Sequence, residues 1–440
     1  MTVSARQTVS APARVAVSDS ARRLRREYLD LWWALPDDLP SLGAVHAPSE
    51  QAANVRLLDG FLAAVSREVE RLPTTPEERV AAQGRLFAAF ETLARGALGF
   101  QECHVHAVLS EGFTHMGVAF SQAARRLDPV ISGADIYQAT RNAWTMAALQ
   151  EMLGLPVTLT PAVFAYSMLY PYTDNYLDDP AIPAGEKRAF GERFARRLAG
   201  EDVAPANAHE AAIYRLVRMI ERQYAREAFP AVFESLLAIH RAQTESVRLM
   251  RRNASPYEVD VLGIALDKGG TSVLADGYLV AGDLTEEQAR FLYGYGAFLQ
   301  LVDDLQDVEQ DRAAGLQTIF SQTARRWPLD AVTSRTLRFG EWVLADLGCF
   351  PAGEGEALKE LLARSVVQIL VQAAGTHRRL YTRPYIEALE PHVPFRFRDL
   401  DQRRGSLARR RPALMRLVEA MAVADELEHG PLAEALAERA

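Results

Sequence analysis

Residues 296–311, GAFLQLVDDLQDVEQD, pass without a break from an apolar run into Asp303, Asp304, Asp307, Glu309 and Asp311, with no Lys or Arg between them. On a helix, residues four apart lie about 40° and about 6 Å from each other. Asp303, Asp307 and Asp311 therefore make one acidic row, with Asp304 beside it on the side of Gln300 and Asp307. Phe298, Leu301, Val302 and Leu305 give the same helix apolar contacts, so the row begins where the helix is half buried. Carboxylates crowded in this way repel one another and lose solvation, unless some are protonated or a cation is shared. Oxygen-only ligands suit a hard divalent ion, Mg²⁺ or Mn²⁺, rather than zinc.

A second cluster, Asp174-Asn175-Tyr176-Leu177-Asp178-Asp179, again sets two acids four apart, Asp174 and Asp178, at the end of an apolar segment. If the two helices face each other, their acids could hold several Mg²⁺ ions between them. Such ions would grip a polyanion, a diphosphate above all, at the mouth of an apolar cavity. Cys103, His104, His106 and His115 do not make a comparable centre. His104 and His106 point about 200° apart on a helix, and no second cysteine stands at zinc-ligand spacing.

The elements that must position these residues read as helices. Thr75-Pro76-Glu77-Glu78 and Thr285-Glu286-Glu287-Gln288 are capping boxes. The second should open one helix from about Glu286, through the acids, to about Arg312. Thr160-Pro161 starts the helix that leads to Asp174, and Pro180 marks its end. Stretches of alternating β-branched residues are short and scarce, so an all-α chain is expected. Residues 1–20 read as a tail, and residues 21–145 as N-terminal helices continuous with a bundle. Residues 146–440 read as the core that holds every chemical feature.

Composition sets the outer bounds. With 440 residues, 49% of them hydrophobic, a large core is possible, and a net charge of −8 argues against nucleic-acid binding. The basic run Arg403–Arg411 reads as a solvated helix end. Two cysteines cannot support a disulfide framework, so a reducing, cytoplasmic setting is expected. The most apolar stretch, residues 155–172, is broken by Pro156, Pro161 and Pro171 and does not read as a membrane span.

Gln300-x-x-Asp303-Asp304-x-x-Asp307 resembles the second aspartate-rich motif of trans-isoprenyl diphosphate synthases and related class I terpenoid synthases. DNYLDD is similar to their first motif, DDxxD, with Asn175 in place of the second aspartate. Gly315-x-x-Thr318 follows the second motif as in that family. Residues 266–272, LDKGGTS, resemble its lysine-threonine segment. The resemblance implies a single large helical bundle around a central apolar cavity, with an N-terminal helical extension. It implies Asp174, Asp178 and Asp303 as metal ligands, Asp304 and Asp307 in support, and three Mg²⁺ ions. Lys268, with Thr271 and Gln300, would bind the diphosphate, and Arg378, Arg379 and Tyr381 resemble the late Arg-Tyr pair that closes on it. Phe164, Tyr166 and Tyr170 would line the chain pocket, where aromatic faces can stabilise a carbocation.

The resemblance thus implies an enzyme that ionises a polyprenyl diphosphate. Chain-elongating members also carry a Gly-Lys-Arg segment and a paired-arginine segment for a second diphosphate. Here residues 180–190, PAIPAGEKRAF, offer only Lys187-Arg188. A single-substrate terpene synthase is therefore favoured over a prenyl-transferring or head-to-head coupling enzyme, and over a non-catalytic helical subunit. A homodimer is allowed.

Overall fold

The computed structural model describes residues 16–179, 181–250, 255, 258–353, 355–421 and 430–437; the side chains of Asp178, 406–412, 415, 418 and 419 are outside that description. Among the described residues the chain is all-helical, with no strand. The helices of the first half are α1 (Val17–Ala34), α2 (Pro48–Glu70), α3 (Pro76–Ala97), α4 (Glu102–Val108), α5 (Glu111–Leu127), α6 (Gly133–Met152), α7 (Pro161–Asp178), α8 (Ala184–Leu198) and α9 (Ala208–Gln223). Those of the second half are α10 (Pro230–Ser246), α11 (Val261–Ala281), α12 (Glu286–Gln306), α13 (Val308–Ala314), α14 (Ile319–Thr323), α15 (Asp330–Leu344), α16 (Glu356–Thr376), α17 (Arg383–Leu389), α18 (Phe397–Met421) and α19 (Pro431–Ala437).

The helix starts follow local chemistry. Thr75 and Thr285 each accept the N3 backbone N–H while the N3 side chain returns to the cap, and Thr160 Oγ1 accepts from Val163 N ahead of Pro161. Each of these bonds satisfies an amide that the helix itself leaves unpaired.

The centre of the molecule is the α11/α12 pair, which makes the most extensive helix contact in the chain. Close approach is possible because glycines meet at the crossing. A Cβ on Gly269 would collide with the Gly296 carbonyl oxygen, one on Gly296 with that of Gly269, and one on Gly270 with the Tyr293 ring. Residues 268–271, KGGT, thus lie inside a continuous buried helix, and their glycines are a packing surface. Around this pair stand α1, α6, α7, α10, α15 and α16.

Two expectations need correction. The helix α1 begins at Val17, inside the stretch read as a tail, and its Val17, Ala21, Leu24, Tyr28 and Trp32 are core residues. Its Tyr28 hydroxyl donates to Arg290 O (2.8 Å), and Arg25 reaches Asp260 (3.0 Å) and Glu245 (3.2 Å), which ties α1 to α10, α11 and α12. The acid-bearing helix is also not uniform to Arg312. It turns at Asp307, whose φ of −99° and ψ of 8° leave helical geometry, and restarts as α13. The i to i−4 bonds Asp307 N–Asp303 O and Asp311 N–Asp307 O persist at 2.9 Å, so the acids stay in sequence along one edge.

Of the basic run, Arg403 is bound bidentately to Asp59 at 2.6 Å, while the side chains of 406–411 lie outside the described residues. Among the described residues no helix is long and apolar enough to cross a membrane.

Candidate functional site

A cleft of about 420 Å³ opens between α6, α7, α10, α11, α12 and α16. Its polar rim holds Asp174 from α7, Gln243 from α10, Lys268 from α11, and Gln300 and Asp303 from α12. Its apolar walls include Val273, Phe298, Leu299, Val302, Val366 and Ile369. A smaller recess of about 120 Å³ shares Asp174, Gln243, Lys268 and Gln300 and adds Asp304 and Thr318. The Gly269–Gly296 crossing produces this arrangement. By drawing α11 onto α12, it puts Lys268 one residue from the contact and Gln300 one turn beyond it, on a shared wall.

The acids of α12 sit in contrasting environments. Asp303 is exposed, and its exposed surface belongs to the cleft wall. Enclosure by the walls raises its pKa and Asp307 raises it further, whereas Arg141 and Lys268 pull it down. Asp304 is buried. Its Oδ1 accepts from Gln300 Nε2 (2.9 Å), and its Oδ2 has no partner. Burial pushes its pKa up to about 7, with Asp311 and Asp303 adding repulsion. Asp311, also buried, is raised to about 7 by burial and then by Asp307 and Asp303. Asp307 is exposed at the turn.

The α7 end differs. Gln243 Nε2 donates to Asp174 Oδ1 at 2.7 Å. Asn175 Nδ2 donates to Asp135 Oδ1 on α6 at 2.9 Å, so an aspartate at 175 would set one carboxylate against another. The Asp178 side chain lies outside the described residues.

Oxygen donors alone fit Mg²⁺, and the partnerless Asp304 Oδ2 in a wall beside Asp303 fits a cation ligand. Among the described residues, no three Asp, Glu, His or Cys side chains form a closed ligand group. Mg²⁺ commonly takes one or two carboxylates and completes its shell with water and substrate phosphates, so an open, partial set is compatible with it.

Other sequence-derived candidates are placed elsewhere. Thr271 is fully buried, and its Oγ1 donates back to Asp267 O (2.6 Å) within α11. Phe164 is fully buried and packs on Phe120, away from the cleft. Arg378 pairs with Asp401, and Arg379 is an exposed side chain whose Nη2 lies 4.0 Å from Glu309. Tyr381 is buried, hydrogen-bonded to Thr333 (2.8 Å) and stacked on Tyr385. None of these five lines the cleft. Tyr170 does line it, with its hydroxyl on Ser272 Oγ. Tyr166 lies behind, donating to Ser272 O (3.3 Å) beside an apolar side recess.

Sequence reasoning missed an entire wall. Gln138, Arg141, Asn142 and Thr145 of α6 line the cleft. Their i, i+3, i+4, i+7 spacing, opposite buried Ala139, Ala143, Met146 and Ala147, is a legible polar stripe. The boundary drawn at residue 146 cuts this helix and excludes the whole stripe. Gln243 had no signal in the sequence; Asp276, alone in an apolar stretch, had one. His104, set aside as a zinc ligand, has both nitrogens engaged: Nδ1 accepts from Gln101 N (3.0 Å) and Nε2 meets Glu360 (2.8 Å).

Comparison with family models, curated proteins and solved structures gives no match to this chain.

Proposed function

We propose that this chain ionises a linear polyprenyl diphosphate in the manner of a class I terpenoid synthase. The observation that carries the reading is the meeting of both acid-bearing helix ends with Lys268 on one cleft that also has apolar walls from α11, α12 and α16. A diphosphate suits the charged rim and a hydrocarbon suits the apolar walls.

Asp174 and Asp303 would hold Mg²⁺ together with diphosphate oxygens, with Asp304 behind Asp303. When bound, Mg²⁺ neutralises diphosphate charge and makes it a better leaving group. Lys268 sets an ammonium point charge where leaving-group charge grows. Gln243 fixes the orientation of Asp174, and Gln300 fixes that of Asp304. Arg141 contributes positive charge facing Asp303 from the opposite wall. The apolar walls keep water from the allylic cation after the C–O bond breaks.

The test is incubation of the full chain with Mg²⁺ and linear C10 to C30 polyprenyl diphosphates, without isopentenyl diphosphate. The reading expects diphosphate release with a hydrocarbon or terpene alcohol. Longer diphosphates formed only when isopentenyl diphosphate is added would identify a prenyltransferase. No consumption of any substrate would point to a non-catalytic helical subunit.

A further inference from the structure

Asp276 stands on α11 two turns beyond Lys268, about 12 Å along the helix axis, and it lines the same cleft. It is 1% exposed. Its Oδ1 accepts from Asn142 Nδ2 at 3.0 Å, and its Oδ2 has no partner. Asn142 Nδ2 also lies 3.2 Å from Ser167 Oγ, which fixes the amide from the far side. Tyr170 and Tyr166, both hydrogen-bonded to Ser272 one turn earlier on α11, close the same corner.

A buried carboxyl with an oxygen left unpaired destabilises a fold, and such groups cluster at functional sites. Burial drives the Asp276 pKa well above the carboxylate range, and the Asn142 bond opposes this only in part. Burial therefore favours the protonated acid over the carboxylate. With Asn142 donating to Oδ1, Oδ2 is the oxygen left to carry a proton. A substrate anchored by its diphosphate at Lys268 presents hydrocarbon to this carboxyl, not phosphate.

Resting on the diphosphate-ionising reading, we propose that Asp276 is a proton donor to the hydrocarbon, protonating a carbon–carbon double bond of an olefin formed in the cleft. The first cation loses a proton to the departed diphosphate and gives a neutral olefin. The Asp276 O–H bond then breaks, its proton forms a C–H bond with the olefin π pair, and positive charge appears on the neighbouring carbon. The O–H electron pair stays on Oδ2 as carboxylate. Loss of a proton from this second cation to that carboxylate restores the acid, so the sequence is an isomerisation that needs no oxidant or reductant.

Solvent deuterium reads this step directly. The full chain is incubated with Mg²⁺ and linear all-trans C10, C15 and C20 diphosphates in H₂O and in D₂O, and diphosphate and hydrocarbon mass are both measured. The proposal expects about one deuterium per product in D₂O, since the donor proton exchanges with solvent between turnovers. In Asp276→Asn, deuterium per diphosphate released falls to background and an isomeric olefin replaces the product. Diphosphate release with an unlabelled wild-type product overturns the donor role and leaves the ionisation reading standing. Undiminished label in Asp276→Asn assigns the proton to another group and also overturns it. No diphosphate release from any substrate overturns the ionisation reading, and the donor role with it. The wild-type measurement stands whether or not the variant folds.

Discussion

At the end of α7 the acids have protein partners: Gln243 donates to Asp174, and Asp179 Oδ1 accepts from Ala181 N at 2.8 Å. At the end of α12 the acids have mainly one another. Asp304 keeps an unpartnered oxygen, and Asp304 and Asp311 are both raised to about 7 by burial and by repulsion from neighbouring aspartates. Two clusters with the same four-residue spacing thus differ in electrostatic cost. Burial sets that difference, since α12 runs through the core beside α11 whereas the end of α7 faces the surface at Asn175. On the proposed reading, the α12 acids are the ones that would gain most from a cation.

The contrast can be broken from the largest expected effect to the smallest. Asp303→Ala should lower diphosphate release by about a thousandfold, as loss of a group that organises leaving-group charge does. A rate within tenfold of wild type would remove α12 from the site. Gly296→Val should destabilise the fold by about 3 kcal/mol, because its side chain collides with the Gly269 backbone. Urea unfolding measures this, and an unchanged midpoint would mean that the α11/α12 crossing does not need glycine.

The third prediction concerns pH. Burial pushes the Asp304 and Asp311 carboxyls up to about 7 in the folded state, against 3.8 for an ordinary aspartate. Between those values the folded state binds more protons than the unfolded state. Stability without metal should therefore be fullest below about pH 4 and decline as pH rises toward 7, at up to about 1.4 kcal/mol per pH unit for one group. Asp304→Asn should flatten the slope over pH 4–7. An unchanged slope would remove the electrostatic cost assigned to the buried α12 acid. The smallest effect is expected at Asn175→Asp, which faces Asp135 at the surface. It should cost a few tenths of a kcal/mol in thermal melts, as exposed charge pairs do.

Much of the scaffold was legible in the sequence. The capping boxes at Thr75 and Thr285 and the Thr160-Pro161 start are local chemistry, and they fall where the side chains indicate. The placing of Asp174, Lys268, Gln300 and Asp303 on one cleft was expected from the family resemblance, not from spacing. The glycines after Lys268 resisted reading, because the same residues that weaken an isolated helix permit close helix packing. Tyr381 and Arg378 misled because an Arg-Tyr pair says nothing about which neighbour claims it; here Thr333, Tyr385 and Asp401 do. The α6 wall was legible as a polar stripe but needed the tertiary fold to reveal its target. The turn at Asp307 carries no Gly or Pro signal.

The central claim is that two helix ends and Lys268 form one diphosphate site. Calorimetric titration of the full chain with inorganic diphosphate, with and without Mg²⁺, tests it most directly. The account predicts binding that requires Mg²⁺, is lost in Asp174→Asn and in Asp303→Asn alike, and is weakened in Lys268→Ala. Binding indifferent to Mg²⁺, or unchanged by substitution at either helix end, would contradict it.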